Sequence, residues 1–162
     1  MLPHRSIAGN RCGFLVLCRV LVALRETSGI IDGSMERLAI QTHRKREIID
    51  ITDQVQLTLG AKSGVCHLTV LHTTAALTTA DLDPGTDLDM LDAFQALIPK
   101  LSYRHPHDPE HVPDHILSAL IGTSVAQPVD KGQLVLGTWQ RIVLVELDGP
   151  RKRDIVVTFL AE

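Results

Sequence analysis

From Leu38 onward, apolar residues recur with two periods, and the switches between them mark out the secondary structure. Residues 38–43 and 47–51 read as short strands around a basic turn, Arg44-Lys45-Arg46. Thr52 or Asp53 then starts a short helix anchored by Val55, Leu57 and Leu59, which ends near residues 60–64. Residues 65–72 are apolar at nearly every position, which predicts a central strand covered on both faces, with His72 in phase with Cys66, Leu68 and Val70. Leu88, Leu91, Phe94, Leu97 and Ile98 have helical spacing and predict a helix over 86–98. Asp87 and Asp89 in its first turn suit the helix dipole, a structural reason for acids that would otherwise suggest a metal.

A proline-broken loop, 102–112, leads to a helix opening at Pro113, a favoured first position. Ile116, Leu117, Leu120 and Ile121 form its apolar side, while His115, Ser118, Ala119 and Gly122 share a small, approachable one. The remainder reads as β: 125–129, a long run over 133–147 and a last strand over 154–160, with turns at Asp130-Lys131-Gly132 and Asp148-Gly149-Pro150. Strands outnumber helices and do not alternate regularly with them. The expected class is α+β, with a mostly mixed or antiparallel sheet and two or three helices.

The first 34 residues break this pattern. Residues 12–24 form an apolar run interrupted by Arg19, too short to span a bilayer and a poor secretory signal. The expectation is a poorly ordered extension over 1–34 and one domain over 35–162. That domain carries 12 Lys and Arg against 17 Asp and Glu, and the chain has five aromatic residues, so neither a phosphate-backbone face nor a base-stacking platform is expected. Cys12, Cys18 and Cys66 lack the spacing of a disulfide framework or a zinc ribbon, which favours a reducing, cytoplasmic setting without a membrane partner.

Seven of the eight histidines lie in the domain, and His105, His107, His111 and His115 fall within eleven residues. Imidazole is the commonest metal ligand, yet a solvated polar loop would look the same. His72 ends an apolar strand and precedes Thr73 and Thr74, whose hydroxyls leave room for a ligand. A core histidine bonded to backbone would also suit that position. Asp81 precedes the 86–98 helix and is free of its dipole. Strand alternation puts Thr138, Gln140 and Glu146 on one face, with Trp139 on the other. Arg151-Lys152-Arg153 is either a phosphate contact or a charged guard at a strand edge.

Three of these segments, His72-Thr73-Thr74-Ala75-Ala76-Leu77, Gly137-Thr138-Trp139-Gln140 within its glycine-rich run, and Val145-Glu146-Leu147-Asp148-Gly149-Pro150-Arg151, resemble the YjbQ family in order and content. The resemblance implies a compact α+β homotrimer with histidine-lined pockets and a weak, secondary thiamine-phosphate synthase activity. In that transferase reaction a hydroxymethylpyrimidine diphosphate joins a thiazole phosphate and pyrophosphate leaves. Matching motif by motif makes His72, His105 and His115 the family's histidines and leads to the expectation that they share a divalent metal. Zn²⁺ is favoured because three imidazoles leave a tetrahedral position open, while Mg²⁺ suits a diphosphate substrate.

Asp81, Glu146 and Arg151 are then the catalytic candidates, and Thr73, Thr74, Trp139 and Gln140 the substrate-binding ones. The chain departs from the family pattern at Ala80-Asp81, at His111 and at Leu117, where a phosphate contact would be lost. Two other classes fit the same residues. One is a trimeric metal- or phosphoanion-binding module without turnover. The other is a metal-dependent phosphate-ester hydrolase with Asp81 or Glu146 as general base. A trimer is expected on a second ground, because 134–147 is apolar on both faces in a domain too small to cover both by itself.

Overall fold

The computed structural model describes residues 34–161. The element order is β1 (Ser34–Gln41), β2 (Glu47–Asp50), α1 (Thr52–Gln56), β3 (Gly64–Val70), β4 (Ala75–Ala80), α2 (Thr86–Leu97), a 3-10 turn (Pro109–His111), α3 (Val112–Ile121), β5 (Ser124–Asp130), β6 (Gln133–Leu134), β7 (Arg141–Glu146) and β8 (Lys152–Ala161). The strands form two antiparallel sheets, β1-β8-β3-β5-β6 and β2-β7-β4. The class is α+β. β1 is described from Ser34, and the expected extension over 1–34 lies outside the described residues apart from Ser34 itself.

The sheets face each other across the main core. Leu68, Ile155, Val157 and Phe159 from the larger sheet meet Leu77, Ile142 and Leu144 from the smaller one. The opposite face of the smaller sheet is covered by the helices, where Val143, Val145 and Leu147 pack with Leu117 and, from α2, Phe94. β7 is therefore the middle layer, apolar on both faces because both are covered. That removes one ground for a trimer, since the chain covers this strand by itself.

Several expectations about strands change. β1 and β2 do not pair with each other but join different sheets, at β8 and β7. β3 is buried on one face only, through Cys66, Leu68 and Val70, while His67 and Thr69 are half-buried and Val65 is exposed. The long run 133–147 is two strands in different sheets, separated at Gly137–Gln140, where Gln140 N–H bonds the Gly137 carbonyl at 3.0 Å. Its regular alternation is lost there. Thr138 and Gln140 belong to the turn, and Glu146 faces inward with Ile142 and Leu144.

Candidate functional site

At one end of the β4–β7 ladder, Ala75 lies opposite Glu146, and three connections converge: the turn after β3, the N-terminal end of α3 and the β7–β8 turn. The β7–β8 turn is drawn in tightly. Gly149 N–H bonds Lys45 O at 2.8 Å, and a Cβ on Gly149 would sit 2.3 Å from Arg44 O and 2.9 Å from Thr42 Oγ1, so the approach requires glycine. Thr42, itself buried, ties the turn's exit by accepting from Arg151 N–H at 2.7 Å and donating to Arg151 O at 2.9 Å. These segments enclose a polar pocket of about 260 Å³.

Arg153 forms its floor. The residue is 2 % exposed and is locked in place by a fully buried Glu146, whose Oε2 accepts from Nε at 2.7 Å and whose Oε1 accepts from Nη2. Nη2 also donates to Thr74 Oγ1 at 3.0 Å and to Thr74 O at 3.2 Å. Nη1 has no acceptor among the described residues and is not sealed from solvent. Glu146 thus neutralises and orients the guanidinium from behind without reaching the pocket. Arg151 sits at the mouth, half-exposed, with Nε donating to Asp148 O at 2.7 Å and Nη2 to Asp148 Oδ2 at 2.6 Å.

The histidines divide by what their ring nitrogens do. His72 Nε2 accepts from Asp154 N–H at 2.9 Å, which keeps that nitrogen unprotonated and puts the proton of the neutral ring on Nδ1. Burial first, and the Arg153 charge second, hold its pKa below the ordinary value. His105 Nδ1 likewise accepts from Asp108 N–H, at 3.2 Å, and its ring stacks on His115 with centroids 5.7 Å apart. His115 is the reverse case. Its Nδ1 donates to Thr73 O at 3.0 Å, leaving Nε2 with a free lone pair.

Two of the three imidazoles expected as metal ligands therefore spend a lone pair on the backbone, and no three His, Cys, Asp or Glu side chains among the described residues are grouped to hold a metal ion. The residues present do not fit a resident three-histidine metal.

Thr73, Thr74, Arg151, His72 and His115 are thus brought to one pocket, and His105 lies behind His115. Asp81, Trp139 and Gln140 are not. They lie at the opposite end of the ladder, where Ala80 faces Arg141, on the order of 20 Å from Ala75 at one strand rise per residue. There Gln140 Nε2 donates to Thr79 Oγ1 at 3.0 Å, Trp139 is 68 % exposed, and Asp81 Oδ1 accepts from Asp83 N–H at 3.2 Å.

The sequence offered Arg153 only within the basic run Arg151-Lys152-Arg153, without its burial, and Asp148 only as a turn residue. A signal for Arg153 existed: it falls in period-two register with Ile155, Val157 and Phe159, as Glu146 does with Ile142 and Leu144. A charge of each sign on the inward phase of two adjacent strands points to a buried pair. Cys66 offers no chemistry here, because burial in the core pushes its thiol up to about 11.

His111 links the pocket to the preceding loop, with Nε2 3.1 Å from Asp108 Oδ2 and 3.8 Å from Asp148 Oδ1. Beside the pocket, a hollow of about 330 Å³ lined by Ser118, Ala119 and Thr123 shares Thr73 and His115 with it. The small side of α3 expected from the sequence is its wall. No helix among the described residues is long and apolar enough to cross a membrane.

Comparison with known proteins agrees with the motif resemblance. The sequence model for UPF0047 protein YjbQ-like matches residues 36–162. A UPF0047 protein of Archaeoglobus fulgidus is 39 % identical over 124 residues, covering 76 % of this chain and 98 % of the relative. UPF0047 protein YjbQ of Salmonella typhimurium is 38 % identical, covering 70 % and 85 % respectively. Among solved structures, a YbjQ-like protein of unknown function from Sulfolobus solfataricus superposes with a TM-score of 0.74 at 36 % identity, over 80 % of this chain and 98 % of that one. A hypothetical protein from Aeropyrum pernix gives 0.74 at 32 % identity, over 80 % and 99 %. This chain belongs to the YjbQ (UPF0047) family.

Proposed function

We propose that the polar pocket binds a phosphorylated small molecule and that the protein acts as a weak thiamine-phosphate synthase. The observation that carries this reading is Arg153. A guanidinium fixed by a buried carboxylate, with one nitrogen left free beside a pocket, is a preorganised donor for a phosphate oxygen. The reaction breaks the bond from the pyrimidine methylene carbon to a diphosphate oxygen and forms a carbon–nitrogen bond to the thiazole. Negative charge accumulates on the departing pyrophosphate, so cations placed there matter most.

Arg153 and Arg151 supply those cations, and His115 Nε2 is free to take or give a proton at a phosphate oxygen. The adjoining hollow at Ser118 and Ala119 gives the organic part of a substrate room beside the phosphate. A divalent cation belongs to this reading as the companion of the diphosphate, not as an ion caged by imidazoles. Glu146 is assigned a positioning role.

The reading includes a homotrimer. Its support is now α2, which has no buried residue, and the exposure of Leu97 (68 %) and Leu120 (70 %) beside Phe94. Light scattering on the full chain should return three times the monomer mass at micromolar concentration, and a monomer would contradict it.

Complementation tests the activity. Strong expression in a strain lacking thiamine-phosphate synthase should restore growth without thiamine, and the Arg153→Lys variant should not. Failure of the wild-type chain to restore growth, with the protein present and folded, would remove the proposal.

A further inference from the structure

A larger hollow, about 610 Å³, lies on the other flank of α3, where Leu117 and Pro113 face away from the side carrying His115 and Ser118. Its volume is in the range of small-molecule sites. Ile98, Leu101 and Leu117 give it an apolar lining, and Arg46 enters from the segment before β2. Arg46 is anchored there. Nη2 lies 2.6 Å from Oδ1 of Asp114, a carboxylate 1 % exposed, and Nη1 donates to Gln95 Oε1 at 3.1 Å.

The anchoring uses two of the five N–H groups of Arg46, and its Nε is buried with no acceptor, the one such side-chain atom among the described residues. Buried as it is, Nε is closed to the hollow as well, but Nη1 and Nη2 each keep a second N–H, on a side chain 27 % exposed. Lys100 also borders the hollow and has no carboxylate partner among the described residues. A fixed, underused guanidinium and a free ammonium beside an apolar lining match an amphiphilic anion. Glu110 at the same rim opposes a polyanion and limits the ligand to one negative group.

We propose that this hollow is a second binding site, separate from the phosphate pocket, for a small organic acid: an apolar, ring-sized body seated against Ile98, Leu101 and Leu117, with one carboxylate at Arg46 and Lys100. The inference does not depend on the thiamine-phosphate synthase reading, because it shares none of that pocket's residues.

The experiment is an NMR titration of the full chain with 3-phenylpropionate and its uncharged amide. Saturable shifts should centre on Ile98, Leu101 and Leu117, with the amide about tenfold weaker, as loss of a charge-assisted hydrogen bond implies. Arg46 also pairs with buried Asp114, so the variants are Lys100→Glu, expected to weaken the carboxylate about threefold, and Leu101→Arg, expected to fill the site and abolish saturation. Equal affinity for acid and amide, shifts centred elsewhere, or no saturation at millimolar ligand would overturn the proposal.

Discussion

The two ends of the β4–β7 ladder are built from similar residue types and differ in what stands behind them. At the Ala75–Glu146 end, the buried Glu146 holds Arg153, Thr74 caps the same guanidinium, and two turns close over the result. At the Ala80–Arg141 end, Asp81, Trp139 and Arg141 are exposed, and Arg141 Nε reaches only a similarly exposed Asp50 at 3.6 Å. One end is an electrostatic device in a desolvated setting, where charges act strongly. The other is a solvated rim, where comparable charges are worth little. Polar residue types alone therefore do not distinguish the two ends; support by buried partners does.

The sharpest way to break that contrast is to remove the support. Arg153→Met strands the Glu146 carboxylate in the core and should cost about 3–5 kcal/mol of stability, read by urea unfolding. The double variant Arg153→Met with Glu146→Leu should recover most of that loss and still fail to bind pyrophosphate in calorimetry. A single variant within 1 kcal/mol of wild type, on the order of the exposed-pair value, would erase the difference between the ends.

His115→Ala comes next. Pyrophosphate affinity should fall about tenfold, because a direct contact to a charged ligand is lost, while stability changes by only about 1 kcal/mol with the loss of the Thr73 hydrogen bond. Unchanged affinity would take His115 out of the binding site.

His72 sharpens the comparison through pH. Its folded pKa is lowered relative to the unfolded value near 6.5, so the unfolded chain takes up the proton first as pH falls. The stabilising contribution is complete above about 6.5 and is lost as pH falls from there through the folded pKa. His72→Gln, whose side-chain oxygen can still accept from Asp154 N–H, should flatten that part of the stability–pH curve. An identical slope in the variant would show that His72 is not the titrating group.

The smallest effects belong to the far end. Asp81→Asn and Trp139→Ala should each change stability by about 0.5 kcal/mol or less and leave pyrophosphate affinity within about twofold. A large loss of binding in either would mean that the far end of another copy reaches the pocket, which would join the site to the proposed trimer.

Much of this architecture was legible locally. Helical spacing gave α2 within a residue of its end, proline and the small-residue side located α3, and turn residues marked both tight connections of the late chain, at 130–132 and 148–150. The His72-Thr73-Thr74 and Asp148-Gly149-Pro150-Arg151 segments, noted for their residue types, do meet at the pocket. Local pattern was less informative about sheet partners. β1 and β2 are adjacent in sequence and lie in different sheets, and 133–147 looks like one strand because apolar alternation continues through a turn that only the packing reveals.

What the sequence determined by itself was the fold class and most of the elements, because periodicity and turn chemistry act over a few neighbours. What only the tertiary structure decided was the grouping of chemistry. Arg153 and Glu146 become a buried pair because β7 and β8 leave one turn into different sheets, and Asp81 and Trp139 are separated from His72 by the length of a strand. The ring nitrogen each histidine has left to offer was settled in the same way. His72 Nε2 is occupied by the N–H of Asp154, 82 positions along the chain, and His115 Nε2 is free because the carbonyl of Thr73, 42 positions back, accepts from Nδ1–H and holds the proton there. Hydrogen bonds over such separations exist only once the sheets have packed.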